Sequence, residues 1–297
     1  MSNQRPAKSG CCCDDLKRWG RRGWIAGPQE SLPLLMQRVK LLQEVQANPS
    51  AFGHQTGEVV AKKEWEPVLS KLIAKLGTAP DWIVAFYSNR RLRPWHGAMS
   101  WIYTHTTGSL FPLVQLRKTL KKGSYFGYSK EEVLEHEALH ALRSAYPESR
   151  FEEMFACALS DKKLRSFWGG LFRQPRQTAA LLGGVVGGAL FHVGACLGFI
   201  APWFETVAEG ITLVPVAYLG VLIYWLRRDH RLLRRALRRI GHLFDCREGP
   251  MAVAFRLTDS EIEIFARLPQ EEIARYIAQQ KSLRWSQLLL QFPLKSL

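Results

Sequence analysis

Twenty-seven consecutive residues without a charge, 178–204 (TAALLGGVVGGALFHVGACLGFIAPWF), constrain this chain of 297 residues more than any other feature. As a helix rising about 1.5 Å per residue, the run exceeds the ~30 Å hydrocarbon core of a bilayer. A second apolar run, 211–226, follows the short stretch 205–210. It is shorter, and spans only with help from Val207 and Ala208 or from local bilayer thinning. Glycines four apart, at 183/187, 184/188 and 194/198, let two such helices approach closely in lipid. The alternative is a helical hairpin buried in a soluble core, but two such runs joined by a short turn are hard to bury in a chain of this size. Residues 178–226 therefore read as a transmembrane helical hairpin.

The flanks orient it. Arg173 and Arg176 precede the first run, and Arg227, Arg228, Arg231, Arg234, Arg235, Arg238 and Arg239 follow the second. Under the positive-inside rule both termini are cytoplasmic and only the turn at 205–210 lies outside. A net charge of +15 asks for an acidic partner. Segment 227–244 also carries Leu232, Leu233, Leu237, Ile240, Leu243 and Phe244, and reads as a helix lying on anionic headgroups. Nucleic acid competes for the same residues, and the juxtamembrane position argues against it. Apolar residues at 47% and charged residues at 23% exclude wholesale disorder. The six cysteines show neither disulfide-like nor CxxC spacing, which implies a reducing compartment; the run at 11–13 is either acylated or part of a solvated tail. The first residues carry no apolar stretch long enough for a signal peptide.

Residues 1–28 read as a basic flexible tail ending at Gly27-Pro28. Helical periodicity covers 31–47, a second helix is expected over about 58–76, and Gly77 stops it. Short apolar runs at 82–87, 99–104 and 111–116 suggest a small sheet of about three strands. Ser129-Lys130-Glu131-Glu132 has the capping-box pattern and opens a helix that runs through His140 and ends before Pro147. A further helix is expected over 149–165. Past Pro250 the chain resumes as soluble helices, one capped by Asp259 or Ser260 and another starting at Pro269.

The chemistry-bearing residues lie on the capped helix. In His136-Glu137-Ala138-Leu139-His140 the histidines are four apart, so they point the same way about one turn from each other. That suits two imidazole ligands to one tetrahedral Zn2+, with Glu137 placed to hold and deprotonate a water. The bland alternative is a solvated helix face that happens to carry two histidines. Glu131, Glu132, Glu135 and Arg143 mark the helix as polar-flanked and outside the bilayer. His192, mid-span, reads as packed or hydrogen-bonded rather than a ligand. Tryptophans 82, 95, 101 and 168 read as core or interfacial residues.

This HExxH arrangement, with Phe151-Glu152-Glu153-Met154-Phe155-Ala156 after a turn through Pro147, resembles the gluzincin zinc metallopeptidases over about residues 110–165. The metzincin pattern would need Gly at 143 and His at 146, where the chain has Arg143 and Tyr146. The resemblance implies peptide-bond hydrolysis of a peptide or protein substrate, with Glu137 as general base. Zinc would be held by His136, His140 and a glutamate of the following helix. The Glu-x-x-Ala match points to Glu153; Glu152 and, beyond the hairpin, Glu263 are the alternatives. Twelve residues separate His140 from Glu153, fewer than in many gluzincins. Tyr146, His105 and His96 are candidate oxyanion donors. The implied fold is α+β: a mainly helical zincin-like domain with a small sheet (29–170), then the hairpin (178–226), then a basic juxtamembrane helix and helical C-terminal segment (227–297). The competing reading is a non-enzymatic membrane protein with a soluble interaction domain, a layout that resembles inclusion-membrane proteins of intracellular bacteria.

Overall fold

The computed structural model describes residues 13–52, 57–148, 150–172, 174–198 and 205–295. They form two units, the first drawn from residues up to Glu148 and from Arg235 onward, the second from those between. The chain is mostly helical with a small mixed sheet, an α+β architecture.

The first unit begins with α1 (Cys13–Arg21) and α2 (Leu32–Ala47), then β1 (Glu58–Val59) and α3 (Lys62–Leu76). Strands β2 (Ala85–Tyr87), β3 (Ala98–Thr104) and β4 (Leu110–Leu116) follow, then the small hairpin β5 (Ser124–Tyr125) and β6 (Tyr128–Ser129), and α4 (Lys130–Leu142). The sheet order is β1-β2-β4-β3, with β2 and β4 parallel and the outer pairs antiparallel. All three expected strands are present, trimmed at 82–87 to its last three residues. The fourth, β1, occupies the start of what was expected to be helix 58–76. It pairs with Phe86 and Tyr87, a register that no local pattern announces. Gly77 ends α3 with φ +65°, a left-handed conformation that glycine adopts without strain.

Helix α4 starts as the sequence predicts. Ser129 Oγ accepts from the Glu132 amide at 3.1 Å, and Glu132 returns the bond to the Ser129 amide at 3.2 Å. The helix packs on β3, β4 and α3, burying Leu134, Ala138, Leu139, Ala141 and Leu142. Two of its four polar flanking residues are buried. Glu135 is buried in a 2.7 Å ion pair with Lys71. Arg143 is buried and donates to the carbonyls of Phe255 and Leu257.

The segment expected as a loose tail is instead structural from Cys13 on. Leu16 and Trp24-Ile25-Ala26 are buried, and α1 packs on α12 (Leu283–Gln291). Gln287 of α12 donates to Leu16 O and Trp24 O and accepts from the Ala26 amide at 2.9 Å. A few apolar side chains and one amide that satisfies buried backbone groups are enough to fix a segment whose charge suggests solvent. Residues 1–12, including two of the three clustered cysteines, lie outside the described residues.

The second unit contains α5 (Glu152–Ala158), α6 (Lys163–Trp168), α7 (Pro175–Cys196) and the greater part of α8 (Glu205–Leu243). The single helix expected over 149–165 is broken between α5 and α6, where Ser160 Oγ accepts from the Lys162 amide and competes with the helical pattern. In α7, Arg176–Cys196 is long and apolar enough to cross a membrane, with mean hydropathy 1.7 and only 6% of its most apolar window buried. It is the one helix among the described residues that meets both criteria. The run 211–226 lies in α8, which continues unbroken into the Arg-rich segment, so 205–210 is helical rather than a turn. Within this unit α7 and α8 approach at Gly184: a Cβ there would sit 3.1 Å from Pro215 of α8.

From Arg235 the chain returns to the first unit and adds α9 (Pro250–Ala254), α10 (Asp259–Arg267), α11 (Gln270–Gln279) and α12. Ala236, Ile240, Leu243 and Phe244 are buried, with Phe244 stacked on Phe265 and Arg239 donating to Phe265 O at 3.0 Å. Leu232 and Leu233 are buried as well, so most of the apolar face expected on a membrane surface is buried in protein instead. The cap of α10 is Thr258, one residue before the expected Asp259 or Ser260: its hydroxyl accepts from Glu261 N and Glu261 accepts from Thr258 N.

Candidate metal centre

The 3.6-residue repeat of α4 brings His136 and His140 onto one face. Their Nε2 atoms are 3.2 Å apart, with ring centroids 4.9 Å apart and planes at 66°. Two nitrogens each about 2.0–2.1 Å from one tetrahedral ion are about 3.3–3.4 Å apart. The pair thus fits a shared zinc to within a few tenths of an ångström. The same separation also suits an N–H of one imidazole donating to the ring nitrogen of the other. Both histidines are half-buried, so an ion could reach them from one side.

Glu137 is turned about 100° from His136 around the helix and is buried against β3. Ser100 of that strand places its Oγ 2.7 Å from Glu137 Oε2 and 3.1 Å from the Glu137 carbonyl. The serine holds one carboxylate oxygen. The other, Oε1, makes no hydrogen bond among the described residues. Ser100 escapes a reading of the sequence. It is a small polar residue on the helix-facing side of an edge strand, and that side is known only once the register with β4 is known.

The three oxyanion candidates separate clearly. Tyr146 is buried with its hydroxyl donating to Arg256 O at 2.9 Å, and burial pushes its phenol up; it is a core residue. His105 sits in the β3–β4 turn beside Thr107, five residues from Ser100, or roughly 17 Å along an extended strand. His96 precedes β3 and feels the Glu137 carboxylate. Burial first, and then Arg93 and Arg117, hold its imidazole below the usual histidine range against that carboxylate's upward pull. Its buried Nδ1 has no hydrogen-bond partner among the described residues.

Glu153 lies in the first turn of α5, in the second unit, half-buried. Cys157, one turn on, places its Sγ 3.5 Å from Glu153 Oε1. Burial, then the Glu153 charge, pushes the Cys157 thiol far up, so it stays protonated beside the carboxylate. Glu152 occupies the same first turn. Glu263, on α10, forms a 2.8 Å ion pair with Arg267 on its own helix.

No protein-family model, curated protein or solved structure matches the chain. The chemistry of these side chains is what bears on function.

Proposed function

We propose that the protein is a membrane-anchored zinc metallopeptidase that hydrolyses peptide bonds near the cytoplasmic membrane face. The observation that carries the reading is the paired His136 and His140, spaced for one ion, beside a buried glutamate with one oxygen fixed and one free. His136 and His140 would hold the zinc, with Glu153 as the third ligand on the sequence pattern alone, since it keeps Glu-x-x-Ala with Ala156. When bound, zinc would supply Lewis-acid polarisation of the scissile carbonyl. Glu137 Oε1 takes a proton from the attacking water and passes it to the leaving amine. Ser100 keeps the carboxylate aimed while this happens. His96 is the candidate that can donate to the oxyanion, since its buried Nδ1 has no partner among the described residues and it feels the Glu137 charge. Edge strand β3 offers its free side to an extended peptide.

The anchor is α7 together with the apolar part of α8 as two antiparallel spans, both chain ends cytoplasmic. The apolar, exposed surface of α7 and its close approach to Pro215 support this. Anionic lipid faces the arginines at 227–234, whose single acid, Asp229, is buried and paired with Arg150 at 2.5 Å.

Treatment of the full chain with 1,10-phenanthroline is expected to stop hydrolysis of fluorescent casein, and added Zn2+ to restore it. Hydrolysis that persists in metal-free protein contradicts the proposal.

A further inference from the structure

Lys163 and Ser166 of α6 and His230 and Arg234 of α8 line a cavity of about 350 Å³ within the second unit, at the small end of the range for ligand pockets. One wall is rigid. The Phe167 and His230 rings stack with centroids 4.7 Å apart and planes at 8°, and His230 Nε2 lies 2.9 Å from Phe167 O. A carbonyl only accepts, so the imidazole carries a proton on Nε2. Arg234 donates from Nε to His230 O at 3.3 Å, which holds its side chain back along α8. Its η nitrogens and the Lys163 ammonium make no hydrogen bond or ion pair among the described residues, and both side chains are exposed. Asp161 is the one acid in the lining, and it is engaged in an interaction within the protein.

We infer that this cavity binds the phosphomonoester headgroup of an anionic lipid. Two cations and the Ser166 hydroxyl in one small cavity match a phosphomonoester, which carries close to two negative charges and three strong acceptor oxygens. The depth of the cavity selects lipid over a soluble phosphate. The apolar run of α8 ends at Leu226, and His230 and Arg234 follow it by four and eight residues. That places them about 6 and 12 Å further along the helix, with side chains leaning back toward its N-terminus. With the run in the bilayer, they sit at the headgroup layer, roughly 5–8 Å thick on each side of the hydrocarbon. On α6, Leu164 and Trp168 are one turn apart on one side of the helix and are 75% and 40% exposed. Tryptophan settles at that boundary. The inference rests on the membrane part of the proposed function and is independent of the peptidase.

The test uses the full chain in lipid nanodiscs matched in surface charge, with phosphatidic acid or phosphatidylserine as the anionic lipid. Native mass spectrometry counts the lipids retained. One phosphatidic acid per chain is expected to be held about tenfold more tightly than phosphatidylserine, the ratio that one added charge-assisted hydrogen bond gives. The preference is expected to vanish in Lys163→Ala/Arg234→Ala. It is expected to shrink in Lys163→Ala alone, which leaves the Arg234 bond to His230 O in place. Arg227→Ala/Arg228→Ala, outside the cavity, is expected to weaken both lipids alike and to keep the preference. Equal retention of the two lipids by a chain that resists alkaline extraction overturns the inference and leaves the anchor standing. A preference that survives Lys163→Ala/Arg234→Ala overturns it as well. Inorganic phosphate that binds in phosphatidylcholine discs as tightly as phosphatidic acid overturns it in favour of a soluble phosphate. A chain that fails to insert overturns both the inference and the anchor.

Discussion

Glu137→Gln is expected to lower casein hydrolysis about 10²–10⁴-fold while zinc content stays that of the unaltered chain. The amide keeps the size of the side chain and an oxygen that can accept from Ser100, so the packing against β3 persists. What it removes is the ability to take a proton. The histidines, on a different side of the helix, are untouched. Because the altered group acts on the water rather than on substrate binding, kcat is expected to fall with little change in KM. Undiminished cleavage with zinc retained would show that Glu137 is not the base.

The second large effect is on stability. Glu261→Gln is expected to destabilise the first unit by about 3–5 kcal/mol, the usual cost of leaving a buried charge without its partner. Glu261 is buried and accepts from Arg284 at 2.5 Å, from Trp285 Nε1 at 2.7 Å and from the Thr258 amide at 2.8 Å. Arg143 and Arg256 are buried in the same unit, so the local balance already favours positive charge. Burial holds the Arg256 guanidinium down to about 9, which shows how poorly this core solvates a cation. Denaturant unfolding in detergent, followed by tryptophan fluorescence, measures the change. A loss below about 1 kcal/mol would mean that the arginine–carbonyl bonds carry the cluster without the carboxylate.

The elements that could be read from the sequence are those fixed within a few residues. The capping box at Ser129 and Glu132, the stop at Gly77, the start at Pro269 and the i, i+4 histidines are all of this kind. The apolar run at 178–204 was legible too, because an uncharged stretch of that length has few fates. What stayed hidden depends on contacts far apart in sequence. Gln287 reaches back more than 260 residues to fold α1 against α12. Arg143, which looks like a solvated flank, is buried because two carbonyls about 110 residues later need a donor. The break at Ser160 and the cap at Thr258 are local, but each is a competition between neighbouring hydroxyls and carboxylates that composition does not decide. At the candidate centre the paired histidines and the glutamate between them were legible, and Ser100, which holds one oxygen of that glutamate, was not. Ser100 acquires its role only when β3 is laid beside β4 and against α4.

The most direct test of the central claim is the zinc content of purified full-length protein, by mass spectrometry, beside His136→Ala and His140→Ala variants with unchanged circular dichroism. About one zinc per chain, lost in both variants, is the predicted result. A folded chain without zinc, or with zinc that survives both substitutions, would contradict it.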